Sequence, residues 1–366
     1  MAYHVVYPFN FFAKLPDLAR QNLTRQMKLQ DLILLSSCSK RCAMAIRISR
    51  VPPAIISFIL KNDTIGICIP GSSFWWKFEL GEFDTENIFK IKNIPVIISQ
   101  EGSLKTVLKK NLDAAFNTAI GQILYIIPSS EFQQLDLELW MNFPVDFHCQ
   151  IALAGVSQVK EIHLHGRQDP NKNIKYVLEN IRATKKIVDH FHHKETDMID
   201  KKLILTTPNL FFNRAEFLKP FDNFPSTSTE KANFFVVRFD EKILINFLKW
   251  FKSVPADQIR NFKGIKWQNQ NRSFKIPDLS ELGATKYDLK LRAQHFPAGY
   301  NLCCAQGGPT RILTIGRLRC RTSHYIDTKD GLDILRDDGL LGTILKHYKS
   351  ILFVVWHERF PKRQPE

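Results

Sequence analysis

The first fifty residues carry apolar side chains at the spacing of amphipathic helices. Pro16 and Asp17 open a first helix, because proline is tolerated in the first turn and an acidic side chain favours that end. The apolar side chains of this helix are Leu15, Leu18, Leu23 and Met27, which fall roughly on one stripe. The pattern therefore predicts a helix with one apolar side.

Two further short helices are predicted before a pair of prolines. Asp31 is a suitable N-cap for a helix that carries Leu32 and Leu35 on one side. A third helix is predicted around Arg41–Ile48, and Val51–Pro53 ends the segment because proline cannot continue a helix. Three such helices carry more leucine than so small a core can cover. The surplus either packs on the rest of the chain, which the pattern alone favours, or binds another protein.

After Pro53 the apolar pattern becomes that of short strands. Strands are predicted at Ile65–Pro70 and Ser73–Leu80, separated by a Pro-Gly turn. Trp75 and Trp76 are adjacent, so they point to opposite faces of the strand and cannot form one stacking platform. We expect one of these rings in the core and the other at the surface.

From about residue 92 apolar strands alternate with amphipathic helices. The strand candidates are Pro95–Ser99, Ile123–Ile127, Glu161–His165, Leu203–Thr206 and Ile265–Trp267. The helix candidates are Leu104–Ala119, Ser130–Asn142, Asn173–Phe191 and Glu241–Lys252. The unit recurs without a fixed period, which predicts an irregular α/β repeat, a leucine-rich-repeat-like stack whose concave face suits protein recognition. The alternative is a compact α+β domain with one mixed sheet, and Phe224–Thr229 is the best candidate for a surface loop.

The end of the chain, from about residue 285, is predicted to be β-rich. The strand candidates are Tyr287–Phe296, Arg311–Leu318, Gly331–Leu335 and Ile351–Trp356. An Asp-Asp-Gly cluster at residues 337–339 lies between two of these strands and is typical of a hairpin turn. We therefore expect the fold to end in β-hairpins.

Composition indicates an ordered protein of a reducing compartment. Of the 366 residues, 44% are hydrophobic and 24% are charged, which excludes a mainly disordered chain. The seven cysteines form no Cys-x-x-Cys pair, so we predict neither a disulfide framework nor a zinc ribbon. No secretory signal is evident, and the apolar runs are too short to span a membrane. We expect a cytoplasmic or nuclear protein without membrane contact.

The net charge of +15 makes nucleic-acid binding the alternative function. The basic residues are spread along the chain, and no run of five or more of them occurs. A dedicated nucleic-acid arm is therefore not indicated, and this alternative rests on the charge alone.

The histidines do not form a recognisable metal site. His163 and His165 share one face of a strand, but no third ligand is identifiable for them. His190, His192 and His193 diverge if they lie on a helix, and no carboxylate or cysteine stands at ligand spacing. We predict no metal.

Catalytic groups are likewise not predicted. Cys303-Cys304 has no base that the sequence identifies, and Gly307–Thr310 lacks the Gly-Lys-Ser/Thr of a phosphate loop. A nucleophile, a base and an oxyanion donor do not occur together in a known motif. We therefore predict no catalytic residue and no cofactor, and a hydrolase is the least favoured class.

The N-terminal segment resembles an F-box in the run YPFNFFAKLPDLARQNLTRQMKLQDLILLSSCSKRCAMAI. Its aromatic lead-in, Leu-Pro opening and closing Cys-Ser-Lys-Arg are most similar to the large F-box family expanded in nematodes, whose members add an F-box-associated domain. The resemblance implies docking on a Skp-type adaptor, which links the protein to a cullin and a ubiquitin-conjugating enzyme. The implied adaptor contacts are Leu15, Pro16, Leu32 and Leu35, with Leu18 and Leu23 partly in the core. Ser37 departs from the family, where an apolar residue is common.

The C-terminal end resembles the F-box-associated domain of the second type in the run DGLDILRDDGLLGTILKHYKSILFVVWHERFP. There a Gly-x-Asp-Ile-x-Arg-x-Asp-Gly stretch leads into a final aromatic strand. The helix Glu241–Lys252 followed by Phe262–Trp267 is similar to a recurrent block of these proteins. Val254–Ile259 departs from their Asn-Pro-Arg-Leu-like stretch, so the resemblance implies the architecture and no substrate-binding residues.

Together these observations predict an F-box helical motif over residues 8–51 and an F-box-associated α/β domain over residues 54–366, with a sub-boundary near residue 90. The implied function is a non-catalytic substrate-recognition subunit of a Skp–cullin–F-box ubiquitin ligase, acting in ubiquitin-dependent degradation. The F-box would bind the adaptor, and the C-terminal domain would bind a target protein that the sequence does not identify.

Overall fold

A computed structural model describes residues 12, 14–61, 65–70, 72–82, 88–99, 103–139, 147–166, 172–190, 202–213, 230–235, 241–268, 276–297, 325–347 and 350–360. Contacts divide the chain into two compact units, Met1–Ile181 and Arg182–Glu366. Both contain helices and strands, so the predicted α+β class is confirmed. Four segments with sequence-based predictions lie outside the described residues, namely Phe224–Thr229, Cys303-Cys304, Gly307–Thr310 and Arg311–Leu318.

Three helices open the first unit, α1 (Asp17–Gln26), α2 (Leu29–Cys38) and α3 (Lys40–Ile48). As predicted, the first helix opens at Pro16 and Asp17, with Pro16 in the N-cap position. Ser39 was not predicted as a cap, but it caps α3 by accepting a hydrogen bond from the Cys42 amide at 3.1 Å. The predicted N-cap of α2 at Asp31 is wrong, because Lys28 occupies the N-cap position. Asp31 instead lies in the first turn of α2, where a carboxylate is favourable beside the unpaired amides.

The first unit contains one mixed sheet. Its strands are β1 (Ile55–Leu60), β2 (Ile65–Cys68), β3 (Trp75–Leu80), β4 (Phe89–Ile91), β5 (Ile94–Ile98), β6 (Leu104–Leu108), β7 (Glu131–Leu139) and β8 (Gln158–Gly166). The described strands follow the order β8-β7-β1-β2-β3-β6-β5-β4. β1, β2 and β3 form an antiparallel meander, while β7 and β8 lie parallel to β1. β6 lies parallel to β3, and β5 and β4 continue antiparallel to the edge.

Helix α4 (Leu112–Ile126) packs against one face of this sheet. The ring of Phe116 lies 5.9 Å from Phe58 of β1 and 5.1 Å from Phe78 of β3, centroid to centroid. All three rings are almost completely buried, and each stabilises the fold by roughly 1.5–3 kcal/mol. Two shorter helices follow, α5 (Cys149–Ala152) and α6 (Lys172–Asn180). Helix α5 contacts α4, and α6 contacts α5. This face of the sheet therefore carries the main core of the unit.

The N-terminal helices pack against α4. Gln122 of α4 donates a hydrogen bond to Ser36 Oγ of α2 at 2.6 Å, and both side chains are buried. Arg47 of α3 lies over the ring of Tyr125, with 5.1 Å from the guanidinium carbon to the ring centroid. The inner faces of α2 and α3 thus belong to the core of the first unit. These contacts join both sides of the boundary expected between residues 51 and 54, which stays a prediction.

Three predictions in the first unit are wrong in whole or in part, because a strand is present where a helix was predicted or the reverse. The predicted helix Leu104–Ala119 begins as strand β6, and the predicted strand Ile123–Ile127 contains the last turn of α4. The predicted helix Ser130–Asn142 is strand β7, whose sequence alternates polar and apolar residues so that one face is buried. The confirmed strand positions are Ile65–Pro70, Ser73–Leu80, Pro95–Ser99 and Glu161–His165, within shifts at their ends.

The second unit combines parallel and antiparallel strands. The parallel strands are β9 (Arg182–Asp189), β10 (Asn209–Asn213), β11 (Lys231–Phe235) and β12 (Gly264–Gln268). The remaining strands are β13 (Thr285–Lys286), β14 (His295–Pro297), β15 (Tyr325–Asp327), β16 (Leu332–Leu335), β17 (Leu341–His347) and β18 (Ser350–Trp356). β18 lies antiparallel to β12 and is followed across the sheet by β17, β16 and β13, while β14 and β15 form a separate pair.

The described residues of the second unit form helices α7 (Lys202–Leu205), α8 (Glu241–Ser253) and α9 (Ala256–Ile259), with a 3₁₀ turn at Ser280–Leu282. No described helix of the chain is long and apolar enough to cross a membrane. The predicted helix Glu241–Lys252 and the strands at Ile265–Trp267, Gly331–Leu335 and Ile351–Trp356 are confirmed. The chain also ends in antiparallel hairpins, as predicted, and the leucine-rich-repeat-like arrangement stays a prediction.

Three other predicted elements are wrong in whole or in part. The predicted helix Asn173–Phe191 is helical only as far as α6, and β9 follows. The predicted strand Leu203–Thr206 lies largely in α7. Most of the predicted strand Tyr287–Phe296 is a turn, because the Asp288 carboxylate accepts a hydrogen bond from the Lys290 amide at 2.8 Å.

A buried ion pair holds the antiparallel part of the second unit. Arg292 Nε donates to both carboxylate oxygens of Asp333 on β16, at 2.9 and 3.0 Å, and both side chains are fully buried. The guanidinium also donates to the hydroxyl and the carbonyl oxygen of Thr328, at 2.6 and 2.9 Å. Thr343 of β17 donates to Asp333 at 2.6 Å and accepts from Trp356 Nε1 of β18 at 2.8 Å. A buried ion pair is tolerated when hydrogen bonds satisfy the remaining donors and acceptors of both groups, and the Arg292–Asp333 pair has such hydrogen bonds.

A second arginine caps helix α8. Arg336 donates from Nη1 to the carbonyl oxygen of Phe251 and from Nη2 to that of Val254, the latter at 2.5 Å. Carbonyls at this end of a helix have no partner within the helix, and a positive charge is favourable there. Asp338 accepts from the same guanidinium at 2.9–3.2 Å, and this hydrogen bond lowers the pKa of Asp338. The hairpin turn and the end of α8 are therefore held together.

We expect Asp333→Asn to lower the free energy of unfolding by about 3–5 kcal/mol, because Arg292 would keep its charge in the interior without a counter-ion. Urea denaturation of the full chain, followed by tryptophan fluorescence, measures the change. Glu82→Gln is the matched control, since Glu82 pairs with Lys109 at the surface and the two side chains are 69% and 73% exposed. The control should change stability by less than about 1 kcal/mol. Equal effects of the two substitutions would contradict the expectation.

Candidate functional site

The four side chains expected to contact an adaptor lie in two different environments. Leu15 is half-buried and Pro16, the N-cap of α1, is exposed, so both can reach a partner. Leu32 and Leu35 of α2 are 1% and 5% exposed and pack inside the first unit. In this structure they can support such a surface by fixing α2, but they do not form part of it.

Several apolar side chains on α1 and α3 are exposed instead. Leu18 and Leu23, expected partly in the core, are 70% and 43% exposed. The buried position of α1 is Thr24, whose hydroxyl donates a hydrogen bond to the carbonyl oxygen of Arg20 in the preceding turn at 3.0 Å. On α3, Met44 and Ile48 are 45% and 54% exposed and stand one turn apart. We name the group Leu15, Pro16, Leu18, Leu23, Met44 and Ile48 the helical apolar surface.

The sheet of the first unit presents a second surface, on alternate positions to its apolar core. At one side of this face its ionisable side chains are Asp136 and Glu138 on β7, Glu161, His163 and His165 on β8, and Lys61 directly after β1. The strand register places Asp136 opposite His163 and Glu138 opposite His165. The residues between them in sequence, Leu135, Leu137, Ile162 and Leu164, are fully buried. We name the group of six ionisable residues the polar sheet face.

The charges of the polar sheet face are unevenly paired. Lys61 Nζ lies 2.7 Å from Glu138 Oε1 and 3.6 Å from Asp136 Oδ2, so one ammonium is shared by two carboxylates. His163 Nε2 lies 3.2 Å from Glu161 Oε2. Among the described residues no donor reaches Asp136 Oδ1 within hydrogen-bond distance. The side chains of these five residues are 16–30% exposed, so solvent and a partner can reach them.

This environment shifts several pKa values. Burial lowers the pKa of His165, with His163 and Lys61 acting in the same direction and Asp136 and Glu138 opposing. Burial also lowers the pKa of Lys61, but its hydrogen bond to Glu138 and the charge of Asp136 outweigh it and raise the value. Burial, followed by the charge of Asp136, raises the pKa of the neighbouring Cys68 thiol to about 11. Cys68 is therefore a protonated, unreactive thiol near pH 7.

An apolar strip lies beside these charges on the same face. Trp75 packs over Gly66, where a Cβ atom would come within 3.3 Å of two carbons of the indole ring. Ile59 stands between Gly66 of β2 and Asp136 of β7 in the register of the sheet. Trp75 is half-buried and Trp76 is fully buried, which confirms the expectation of one surface ring and one core ring.

The groups that looked chemical in the sequence do not assemble into a reaction centre in the described part of the chain. No set of three His, Cys, Asp or Glu side chains there is arranged to hold a metal ion. The rings of His163 and His165 do share a face, with centroids 6.4 Å apart, as predicted. His190 lies beside Phe211 at 5.1 Å, and His192 and His193 are outside the described residues. The surfaces found here are suited to binding.

The Gly-x-Asp-Ile-x-Arg-x-Asp-Gly stretch at residues 331–339 is explained by structure alone. Its aspartate and arginine are the buried partner of Arg292 and the cap of α8. Gly331 leaves no room for a side chain, since a Cβ atom would lie 2.5 Å from Thr343 Cγ2, and Gly339 has a φ of 84°. The stretch therefore supplies no candidate binding residue.

Comparisons with family models, with curated proteins and with solved structures found no match to this chain.

We expect the stability of the protein to fall as the pH is lowered through about 6.5, partly because of His165. Its pKa is lower in the folded state than in the unfolded state, so the unfolded chain binds more protons in this range and acid favours unfolding. His165→Gln should make the dependence of the unfolding free energy on pH shallower between about pH 7.5 and 5.5. Urea denaturation across this range measures the slope.

His148→Gln, which replaces an exposed histidine of the same unit, is the matched control and should leave the slope unchanged. Burial also lowers the pKa of His347 in the second unit, so the slope should shrink without vanishing. Identical slopes for the natural chain and His165→Gln would show that His165 does not contribute.

Proposed function

We propose that this chain is a substrate-recognition subunit of a Skp–cullin–F-box ubiquitin ligase. The observation that supports the proposal best is the helical apolar surface. The inner sides of α2 and α3 are buried in the first unit, yet α1 leaves two leucines exposed and α3 leaves a methionine and an isoleucine exposed. Exposed apolar anchors in a polar surround are typical of protein–protein interfaces.

In this proposal the protein acts by position and supplies no catalytic group. The adaptor binds the helical apolar surface, and the rest of the chain, residues 54–366, is a leucine-rich-repeat-like F-box-associated domain that binds a target. The hydrogen bond between Gln122 and Ser36 fixes α2 on the first unit. A target held on that unit would keep a defined orientation to the adaptor, which raises its effective concentration at the ubiquitin-conjugating enzyme. The expected compartment is the cytoplasm, the nucleus or both.

The two buried leucines of α2 have a supporting role in the proposal. Leu35→Ala would leave a cavity in the first unit and should cost about 2–5 kcal/mol of stability. Loss of adaptor binding in such a variant would follow from unfolding as well as from a lost contact. A decisive test therefore uses exposed positions.

We expect the triple variant Leu15→Ala, Pro16→Ala, Leu18→Ala to weaken binding of a purified Skp-type adaptor by at least about tenfold, because it removes exposed anchors. Isothermal titration calorimetry with the full chain measures the affinity, and circular dichroism checks that the helices persist. The expected stability change is small, since these side chains bury little in the chain itself.

Leu289→Ala is the matched control for this experiment. Leu289 is 68% exposed, close to the 70% of Leu18, and belongs to the second unit. It should leave adaptor binding unchanged. The proposal is rejected if the natural chain binds no adaptor, or if the triple variant binds as tightly as the control.

A further inference from the structure

We propose that the polar sheet face, together with Trp75 and Ile59, is a docking surface for an extended segment of another protein that carries arginine or lysine close to an apolar side chain. The inference does not rest on the adaptor assignment, because it concerns β1–β3, β7 and β8 and makes no use of α1–α3.

The first argument is local charge. Asp136 and Glu138 share the single ammonium of Lys61, and Glu161, beside His163, adds a third carboxylate on β8. The whole chain carries +15, and Lys77 on the same face lies 5.9 Å from the ring centroid of Trp75, so this excess of negative charge is confined to β7 and β8. Two like charges a few ångströms apart repel, and an incoming cation relieves that repulsion. A cationic side chain is therefore complementary to this face, whereas a phosphate is not.

The second argument is unused hydrogen-bonding capacity. Lys61 is within hydrogen-bond distance of Glu138 but lies 3.6 Å from Asp136 Oδ2. The other oxygen, Asp136 Oδ1, is buried and has no donor among the described residues, so an incoming group would meet Oδ2. Carboxylates accept charge-assisted hydrogen bonds from arginine or lysine, and these are stronger than hydrogen bonds between neutral groups. The side chains of Asp136 and Glu138 are 16% and 27% exposed, so a guanidinium can approach them from solvent.

The third argument is the apolar strip next to the charges. Gly66 allows the indole of Trp75 to lie close against the sheet, and Ile59 bridges from there to Asp136. Gly66 and Asp136 are two strands apart, or about 10 Å, which an extended chain crosses in roughly three residues. Tryptophan and arginine are the residues that most often anchor protein interfaces. The face thus fits a segment with a cationic and an apolar side chain within about three positions of each other.

The experiment uses the full chain and a labelled nonapeptide made of three Arg-Leu-Gly repeats, with fluorescence anisotropy as the readout. We expect the double variant Asp136→Asn, Glu138→Gln to weaken its affinity by about tenfold or more. Trp75→Ala should weaken it by a similar factor, since the apolar anchor is lost. Glu161→Gln, a single milder change on β8, should weaken it by a smaller factor and serves if the double variant does not fold.

Glu79→Gln is the matched control, because Glu79 lies on the same sheet in an ion pair with Lys105 at 2.8 Å. It removes one carboxylate away from the polar sheet face and should leave the affinity within about twofold. Two further probes are the Glu-Leu-Gly nonapeptide and a single-stranded DNA of about 20 nucleotides, neither of which should depend on Asp136 or Glu138.

The proposal is overturned if the natural chain does not bind the Arg-Leu-Gly peptide, if its affinity is the same in the variants, or if the Glu-Leu-Gly peptide binds equally well. DNA binding that is lost in the double variant would also overturn it, in favour of a nucleic-acid surface. The Leu15, Pro16 and Leu18 triple variant should bind the peptide normally, so failure here is distinguishable from failure of the adaptor assignment.

Discussion

The packing of Phe116 between Phe58 and Phe78 is the interaction on which the first unit depends. It holds α4 against one face of the sheet, and α4 in turn positions α2 through Gln122 and Ser36. Once a helical layer occupies that face, alternate side chains of the strands must point to the other face, where ionisable groups can keep contact with water. Both surfaces discussed above are therefore consequences of one core, since the same helix faces the sheet and the N-terminal helices.

In the second unit the buried ion pair of Arg292 and Asp333 holds the antiparallel strands together. Arg292 is surrounded by Asp333, Thr328 and the rings of Tyr287 and Trp356, whose centroids lie 4.6 and 5.1 Å from the guanidinium carbon. The residues near the end of the chain that resemble a family stretch are thus those that the local architecture requires. A sequence resemblance at these residues therefore concerns the local architecture, and it carries no information about what the protein binds.

Elements whose apolar residues fit one period only were predictable, and those whose pattern fits both a helix and a strand were not. Helix α8 and strand β18 have enough apolar positions in sequence to show their type. The prediction for Ser130–Asn142 is wrong because Phe132, Leu135 and Leu139 also stand at helical spacing, so the alternation of the strand was not the only period present. The prediction for Leu203–Thr206 is wrong because so short an apolar run has no distinctive period. The exposure of Leu18 was also not predictable, because α1 buries a polar threonine and exposes leucine, whereas apolar side chains are usually the buried ones.

The sequence by itself determined which side chains share a face. The spacing of two residues places His163 with His165, and the same alternation separates Trp75 from Trp76. Only the tertiary structure decided that Lys61 meets Asp136 and Glu138, because strand order in a sheet is set by long-range packing of β1 beside β7 and leaves no mark in local pattern. The same holds for Leu32 and Leu35, whose burial depends on what α4 brings against them.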